Sequence, residues 1–539
     1  MATKKIEAIY PLSPLQQGML FDTLYAPGSG VYIEQFICTL RGLRIAPFEQ
    51  SWQFLVARHP VLRTAFVWER VATPLQVVGQ QIKLSIDQHD WRLLTPAAQH
   101  EQLQRFLAAD RKRGFKLSKA PLMRLTLIQV ADETYTFIWS HHHLLLDGWS
   151  MAMLLQEIFL VYQGLCTGQV PAMVSRRPYA DYITWLRQQN PGDAETFWRQ
   201  ALRGFTAPTA LLGSMPIGRD AAGPAPSQPC AAKLLLSSNA TAALQALAQQ
   251  QRLTLNTLVQ GAWALLLSRT SGEADVLFGV TVAGRPATLP GVETMLGLFI
   301  NTLPLRVYVP PDAALLPWLR DLQAQQVELY QYQHSLLPQV HKWSDVAPDA
   351  PLFESILVFE NYPTVTSPEE NDGAQIANFR MIEQTNYPLT LSVTPGHELR
   401  LQLNYDERRF EAATAERLLT YMQTLLEGML AQPPQRLGDL PLLNAAERHQ
   451  LLVAWNATGQ GDRGQGTGDR GQWCVHELFE AQATRTPDAV AVVFDRSQGP
   501  GVWGQGTTLL PPPARGGTHI FTQNLCSGTC AAGEWVPGA

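Results

Sequence analysis

The sequence predicts a mixed α/β protein, and three segments carry that prediction. Residues 134–139 alternate in polarity, which is typical of a half-buried strand. Residues 151–162 are instead apolar at helical spacing, and residues 275–282 form an apolar run typical of a buried strand. Strand and helix patterns therefore occur together along one chain, as expected of an α/β fold.

Further elements extend this pattern. We predict a helix over residues 48–58 and a strand over residues 122–130, both ahead of the strand at 134–139. In the second half of the chain, residues 241–270 predict two helices that are broken near Leu253. Gly, Pro, Ala and Ser cluster at 213–229, which indicates a surface excursion.

Composition limits the possible classes of protein. A chain of 539 residues with 46% hydrophobic content can bury substantial cores. No stretch approaches about 20 uncharged apolar residues, and the N-terminus lacks the apolar core of a signal peptide, so we expect a cytoplasmic protein without a membrane partner. The 6 cysteines show no paired metal-ligand spacing. A net charge of -5 without a basic cluster argues against a nucleic-acid partner.

A histidine-rich motif lies where the strand at 134–139 gives way to the following helix. His142, His143, Asp147 and Gly148 fit the pattern His-His-x-x-x-Asp-Gly. Imidazole suits proton transfer because its pKa of about 6.5 is close to neutral pH. The histidines could instead serve only in packing, or they could bind a metal ion. Neighbouring strand residues point to opposite faces, so the two histidines do not converge on one ion without a sharp bend, and we expect no metal.

This motif resembles the acyl-transfer motif of nonribosomal peptide synthetase condensation domains and of chloramphenicol acetyltransferase-like enzymes. Further segments resemble the other condensation-domain motifs, in the family's order. These segments are 10–21, 58–66, 179–185, 295–306, 331–338, 357–363 and 386–389. The resemblance extends over about residues 6–450. An ordered series of motifs is far more specific than any single short motif.

The resemblance implies an α/β fold of two acetyltransferase-like lobes, residues 1–175 and 176–450, in a V arrangement with a tunnel between them. A donor thioester and an acceptor amine, each on the phosphopantetheine arm of a peptidyl carrier protein, would enter from opposite ends and meet at His143. The chain itself would bind no cofactor. The segment around Gly297 would line or close the site, although residues 298–300 fit a buried strand better.

Each residue of the histidine motif has an expected role. His143 acts as a general base or as a hydrogen-bonding orienter of the amine, and the sequence leaves both open. His142 belongs to the motif but is expected to serve as scaffold. The resemblance assigns Arg63 as the partner of Asp147, because a buried carboxylate requires a counter-charge. Gly148 either keeps the tunnel open for a pantetheine arm or is a simple turn glycine.

Three other functions have to be compared. An epimerization domain shares the histidine motif but usually continues Asp-Gly-x-Ser-Trp, whereas Trp149-Ser150-Met151 follows here. A heterocyclization domain would carry spaced aspartates instead of the histidines. A non-catalytic carrier-docking module is the alternative from a different class. Residues 18–21 and 144–146 resemble the condensation subtype whose donor ends in a D-residue.

The two ends of the chain differ from the rest. A repeat within 451–472 predicts a flexible linker, residues 473–495 resemble the start of an adenylation domain, and residues 496–539 are an unassigned tail that we expect not to fold. Adenylation is thus expected to be absent, and both carriers to come from other polypeptides. Residues 1–9 are either a docking segment for an upstream synthetase subunit or an ordinary frayed terminus.

Overall fold

A computed structural model describes residues 6–169, 172–211, 213–214, 230–361, 374–431, 436–456, 484–485, 493–495 and 507–509. The chain divides into two compact units, residues 1–453 and 454–539. Within the described residues, every helix is too short or too polar to span a lipid bilayer.

The strands of the first unit are β1 (Ile6–Pro11), β2 (Ile33–Arg41), β3 (Thr64–Val67), β4 (Leu75–Gly79), β5 (Ile86–Asp90), β6 (Met123–Ala131), β7 (Thr134–His142), β8 (Cys230–Leu235), β9 (Asp275–Val282), β10 (Asn301–Tyr308), β11 (Ser355–Phe359), β12 (Gln375–Ile382), β13 (Leu389–Thr394) and β14 (Arg400–Tyr405). Its α-helices are α1 (Pro14–Tyr25), α2 (Ile45–Arg58), α3 (Pro96–Arg113), α4 (Gly148–Thr167), α5 (Tyr179–Arg187), α6 (Pro191–Ala201), α7 (Ser238–Gln251), α8 (Leu255–Ser271), α9 (Leu315–Gln331), α10 (Leu337–Trp343), α11 (Ala412–Gly428) and α12 (Ala445–His449).

A 5-stranded sheet in the order β12-β2-β7-β6-β5 carries the histidine motif on its central strand. All neighbours are antiparallel except β5 and β6. Phe137 and Trp139 of β7 are buried against Phe48 and Trp52 of α2, with ring centroids 5.2 Å apart for Phe48–Phe137 and 5.0 Å for Trp52–Trp139. Burying aromatic side chains of this size contributes strongly to a core, so β7 is firmly held up to its C-terminal end.

Helix α4 starts directly after the histidine motif because its first turn is capped. The Asp147 side chain accepts a hydrogen bond from the Ser150 N–H at 2.8 Å, which satisfies one of the free N–H groups at the helix start. The helix ends at Gly168, which has a φ of 76° and so adopts the left-handed conformation that glycine allows. Between these ends most of its residues are apolar and more than half are buried, which fixes its N-terminus beside β7.

A second sheet of 6 strands runs in the order β10-β9-β11-β13-β14-β8. Strand β11 is parallel to β9 and β13, and the other pairs are antiparallel. Residues 257–267 of α8 are all buried, so this part of the helix is covered on every side, as its mainly apolar sequence predicts. A third sheet, in the order β1-β4-β3, lies in the N-terminal part of the chain.

The predicted elements correspond closely to the observed ones. The strand predicted at 275–282 is β9, and those predicted at 122–130 and 134–139 lie in β6 and β7, with β6 beginning one residue later. The two helices predicted over 241–270 are α7 and α8, and the break between them contains Leu253. Residues 298–300 were predicted to form a buried strand, but they are an irregular segment before β10, in which Leu298 and Phe299 are buried.

The predicted division at residue 175 differs from the structure in one respect. Strand β12 belongs to the second half of the sequence, but it pairs antiparallel with β2 and completes the sheet of the first half. Residues 1–453 also form one compact unit. The two halves are thus joined through a shared sheet, which a division by sequence position cannot represent.

Little of the C-terminal region lies within the described residues. Most of the predicted linker, most of the adenylation-like stub and most of the predicted surface excursion at 213–229 fall outside them. In the second unit, β15 (Val493–Asp495) pairs antiparallel with β16 (Thr507–Leu509). Three residues of the tail, for which the sequence predicts no folded structure, therefore form a strand.

Candidate active site

The histidine motif forms the turn between β7 and α4. His142 is the last residue of β7, and the N–H of His143 donates a hydrogen bond to the Tyr32 carbonyl at 2.9 Å. His143 therefore continues the pairing of β7 with the chain just before β2. The side chain of His143 is 15% exposed, whereas His142 is fully buried.

His143 is oriented through one of its two ring nitrogens. Its Nδ1 atom lies 2.7 Å from the Leu146 carbonyl oxygen and 2.9 Å from Oε1 of Glu34. Because both neighbours are acceptors, Nδ1 carries a proton and donates it. The other nitrogen, Nε2, makes no hydrogen bond with any residue that the structure describes. Nε2 is therefore the ring nitrogen that has no partner among the described residues.

The Glu34 carboxylate also contacts a second histidine. Its Oε2 atom lies 2.9 Å from Nε2 of His141, which is fully buried. Glu34 lies on β2, and His141 is its register partner on β7. One buried carboxylate thus lies between two imidazole rings, and its position is fixed by the strand pairing.

This arrangement changes the charge of His143. Burial disfavours its charged form, but the Glu34 charge, the Glu34 hydrogen bond, the Glu383 charge and the Leu146 carbonyl outweigh burial and raise its pKa to about 9. Burial would raise the pKa of Glu34, yet its contacts with His143 and His141 lower that pKa well below its usual range. At neutral pH the pair is therefore an imidazolium beside a carboxylate, and Nε2 presents a proton.

The pKa of His142 is shifted in the opposite direction to that of His143. Burial, together with repulsion from His143 and His141, lowers its pKa to about 3. Its Nδ1 accepts a hydrogen bond from the Leu144 N–H at 3.2 Å, so the proton is on Nε2, which lies 3.3 Å from the Thr23 hydroxyl of α1. A neutral ring bonded on both sides fits the scaffold role expected for it.

Asp147 connects α4 to the second half of the chain. Besides capping the helix, it accepts a hydrogen bond from the Phe299 N–H at 3.0 Å through Oδ2. Its Oδ1 atom lies 3.4 Å from Nη2 of Arg285. Arg285 also donates to the Ser150 hydroxyl at 3.0 Å and stacks over the Phe299 ring at 4.0 Å. The buried Asp147 side chain thus links the N-terminus of α4 to Phe299 and Arg285.

The predicted pairing of Arg63 with Asp147 is wrong. Arg63 is buried in a short 3-10 turn and donates to the Val56 carbonyl at 2.9 Å, to the Gly79 carbonyl and to the Glu7 carboxylate of β1. Its guanidinium therefore joins α2, β1 and β4. The counter-charge of Asp147 is supplied by Arg285 instead.

Gly148 is the first residue of α4, directly after the capping Asp147. It is not among the described glycines with positive φ, so a left-handed turn does not explain it. Its expected role in keeping space for a pantetheine arm stays a prediction.

A glycine is required at position 297 by close packing. An added Cβ there would lie 2.1 Å from Cδ2 of Tyr179, which is far inside van der Waals contact. The Gly297 carbonyl accepts hydrogen bonds from the Asp147 N–H at 3.1 Å and the Ser150 hydroxyl at 2.8 Å. The motifs at 179–185 and 295–306 thus meet at the N-terminus of α4.

The motifs at 331–338 and 386–389 also make polar contacts with other elements. The Asn301 amide donates to the carbonyls of Gln333 and Ser335 at 2.9 and 2.7 Å, which joins β10 to the motif at 331–338. The Asn386 amide donates to Asp22 of α1 at 3.0 Å.

Among the described residues, no group of three or more His, Cys, Asp or Glu side chains is arranged to hold a metal ion.

Two important site residues, Glu34 and Arg285, were not found from the sequence. Glu34 is an acidic residue inside the otherwise mainly apolar segment that forms β2. Arg285 follows the apolar strand β9 within three residues. A charged residue inside or directly after a buried strand requires a partner, and that is the signal that could have identified both.

Comparisons with known proteins place this site in context. A family model described as "Condensation domain" matches residues 6–452. One of the linear gramicidin synthase polypeptides of Brevibacillus parabrevis is 46% identical over 493 residues, which cover 91% of this chain but 6% of that protein. Bacitracin synthase 3 of Bacillus licheniformis is 34% identical, over 91% of this chain and 8% of that protein. The chain therefore spans a small fraction of the length of these relatives.

Solved structures are similar in fold. The starter condensation domain of rhizomide synthetase superposes with a TM-score of 0.68 at 19% identity, covering 81% of this chain and 98% of that domain. The first condensation domain of the calcium-dependent antibiotic synthetase gives a TM-score of 0.68 at 17% identity, covering 81% and 100%. These matches show that the fold is the α/β, chloramphenicol acetyltransferase-like fold expected from the sequence.

Proposed function

Because the chain belongs to the condensation-domain family of nonribosomal peptide synthetases, we propose that it joins a donor acyl thioester to an acceptor amine, with each substrate held on the phosphopantetheine arm of a carrier protein. Condensation domains form peptide bonds and are amide-forming acyltransferases. The observation that carries the proposal for this chain is the orientation of His143. Its Nδ1 is held by Glu34 and Leu146, and its Nε2 is left without a partner among the described residues.

The charge of the site fits the chemistry of amide formation. When an amine adds to a thioester carbonyl, the oxygen becomes negative and the leaving sulfur requires a proton. An imidazolium whose Nε2 carries a proton can donate to either atom. The raised pKa of His143 therefore supports the role of hydrogen-bond donor and orienter over that of resting general base.

Free-energy considerations support a role in the transition state. An α-amine has a solution pKa of about 8, so deprotonating it beforehand is worth only about 1.4 kcal/mol at neutral pH. A larger effect of His143 on the rate would have to arise after the amine begins to add. In this proposal Asp147 positions α4 and the following glycine, Gly148, and does not touch the reacting atoms.

A non-catalytic carrier-docking module fits this site less well. A carrier-docking module has no need for a buried carboxylate and imidazolium, because removing two charges from water costs free energy. An epimerization domain would use the same histidine motif to exchange the donor α-proton instead of forming a bond. The products of a single assay distinguish these possibilities.

Both carriers are proposed to reside on partner polypeptides or domains, one of them in an upstream synthetase subunit. The sequence predicts that residues 1–9 form either a docking segment or a frayed terminus. Residues 6–9 instead belong to β1, and Glu7 is paired with Arg63. A docking role therefore rests on residues 1–5, which lie outside the described residues.

The test uses the full chain with separately loaded donor and acceptor carrier proteins. Mass spectrometry of the acceptor arm is expected to show the condensed product, and donors ending in a D- or an L-residue test the predicted preference. His143→Ala is expected to lower the rate by well over roughly tenfold, beyond the effect of amine deprotonation. His100→Ala, at an exposed position of α3, is the matched control. Absence of product with intact protein, or a near-wild-type rate for His143→Ala, would contradict the proposal.

A further inference from the structure

Tyr32 has a backbone conformation that is unusual for its residue type. It lies directly before β2 and has a φ of 64°. Residues with a bulky side chain rarely adopt positive φ, because the Cβ atom then crowds the neighbouring carbonyl. Among the described residues, Arg70, Arg252 and Asn378 also have positive φ, but they are exposed, whereas Tyr32 is buried. The strain at Tyr32 therefore lies inside the protein, where surrounding contacts must hold it in place.

The backbone of Tyr32 is hydrogen bonded on both sides. Its N–H donates to the Gln384 carbonyl at 3.2 Å, and its carbonyl accepts the His143 N–H at 2.9 Å. The regular pairing of β2 with β7 ends at Ile33 and His142. The bond to the Tyr32 carbonyl thus carries the pairing one residue further, and the conformation of Tyr32 determines where the backbone of His143 lies.

The phenol of Tyr32 is anchored on α1. Its hydroxyl donates to Oδ2 of Asp22 at 2.8 Å. Burial raises the pKa of this hydroxyl well above its usual value, so the hydroxyl keeps its proton and remains the donor. The same oxygen of Asp22 accepts a hydrogen bond from the Asn386 amide at 3.0 Å. Three distant parts of the chain, namely α1, the start of β2 and the segment after β12, therefore meet at Tyr32 and Asp22.

The hydrogen bond to Asp22 is strong enough to hold the strained backbone. Positive φ at a non-glycine residue costs a free energy similar to the contribution of a hydrogen bond to a charged group. Without that bond the chain at Tyr32 can relax toward negative φ, which would move the carbonyl that holds His143. A glycine would adopt the same φ without strain, but it could not reach Asp22.

We propose that Tyr32 is a positioning residue for the reaction, whose bond to Asp22 keeps His143 aligned against Glu34. Tyr32 does not touch the reacting atoms and acts through His143 alone. Its effect on the rate rests on the proposed condensation function. The alignment of His143 can be measured without that function, because it changes how the imidazole titrates.

The proposal gives the direction of this change. The titratable groups around His143 are Glu34 on β2, Glu383 after β12, and His141 and His142 on β7. Burial lowers the pKa of His143, and the Glu34 charge is the largest effect that opposes burial. Tyr32→Phe removes none of these groups, but it weakens the alignment of His143 with Glu34. His143 should therefore lose its proton at lower pH in this variant.

The test follows the reaction of His143 with diethyl pyrocarbonate over a series of pH values, measured by peptide mass spectrometry relative to the exposed His100. Only a neutral imidazole reacts. In Tyr32→Phe the reaction should set in about half a pH unit or more below the wild type. The kcat for condensation should fall by about threefold or more, with the apparent KM for either carrier within about twofold of the wild type.

The matched control is Tyr162→Phe. Tyr162 is a buried tyrosine of α4 whose hydroxyl accepts the Arg44 N–H at 2.9 Å, away from the histidine motif. Its loss should leave the titration of His143 unchanged. An unmoved titration in Tyr32→Phe, or an equal shift in both variants, would overturn the inference.

A second variant removes the same bond from its other end. Asp22→Ala should shift the titration of His143 in the same direction, and adding Tyr32→Phe should shift it no further, because both substitutions act through one bond. Asp22→Ala also replaces Tyr32→Phe if the latter melts below the assay temperature. If the wild-type chain forms no product, the condensation function fails, and the titration alone then decides whether Tyr32 positions His143.

Discussion

Nη2 of Arg285 lies 3.4 Å from Oδ1 of Asp147, and the two side chains are 7% and 0% exposed. Burial lowers the pKa of Arg285, an effect that the Asp147 charge opposes. The pair joins the N-terminus of α4 to the segment before β10. Its main effect is therefore to hold the histidine motif against the second half of the chain.

Removing the arginine of this pair should destabilise the fold. Arg285→Met would leave Asp147 buried without its counter-charge, and we expect a loss of about 3–5 kcal/mol in the free energy of unfolding. Denaturant unfolding followed by tryptophan fluorescence measures this loss. The control is Arg436→Met, because Arg436 lies at the same 3.4 Å from Asp312 but the two side chains are 66% and 90% exposed. That exposed pair should contribute less than about 1 kcal/mol. Equal effects of the two substitutions would contradict a structural role for Arg285.

The charge of Glu34 should set the pH range of activity. In the wild type, the imidazolium of His143 is present below its pKa of about 9 and is lost as the pH rises through that value. In Glu34→Gln the burial that lowers this pKa is no longer opposed by the Glu34 charge, so the basic limb of the kcat profile should move to lower pH. Glu383 also raises the pKa of His143, and this effect remains in Glu34→Gln. Saturating carriers and a series of buffers measure the shift. An unmoved basic limb would show that another group titrates.

A side chain at position 297 should not be tolerated. Gly297→Ala would place a methyl group 2.1 Å from the Tyr179 ring, and overpacking of this kind costs typically about 1–3 kcal/mol. Gly18→Ala is the control, because nothing lies within 4 Å of a Cβ at that position in α1. Thermal melts should therefore show a lower midpoint for the first variant and an unchanged or higher one for the second. A midpoint equal to the wild type for Gly297→Ala would mean that Tyr179 moves aside freely.

Removing the C-terminal region should leave condensation intact. The compact unit that contains all motif residues ends at residue 453. We therefore expect a chain truncated after Asp495 to retain the full rate with loaded carriers. A rate reduced severalfold in a truncated protein with an unchanged thermal midpoint would assign a role to the deleted part.

Charge reversal near the N-terminus tests the docking proposal. Lys4→Glu together with Lys5→Glu should raise the apparent KM for the donor carrier and flatten its salt dependence, with kcat largely unchanged, because exposed charges act mainly on association. Initial rates at low and high salt measure both effects. Identical kinetics at low salt would favour an ordinary terminus.

The sequence predicted local structure well, since local structure depends on residues close together in the chain. The turn at His143, the strand β9 and the break near Leu253 follow from periodicity and turn chemistry alone. The residues that pair across the fold could not be predicted from these local patterns. Asp147 and Arg285 are 138 positions apart, and the sheet order and helix packing that bring them together are not encoded in any local pattern.

The same limit applies to Glu34 and Glu383. Each is a single acidic residue in or beside a strand, and nothing nearby in the sequence points to His143. Their relation depends on β12 joining β2, which is a contact between distant parts of the chain. For Arg63, the family resemblance suggested Asp147 as the partner. In the structure Arg63 pairs with Glu7 instead.

The placement of β12 also limits how the protein can be divided for expression. A fragment ending near residue 175 would lack this strand and leave the largely buried, apolar β2 as an open sheet edge. Exposed apolar edges pair readily with other chains, so such a fragment should aggregate rather than remain monomeric. Engineered swaps between synthetases should for the same reason exchange residues 6–452 as a whole and avoid a junction between the two halves.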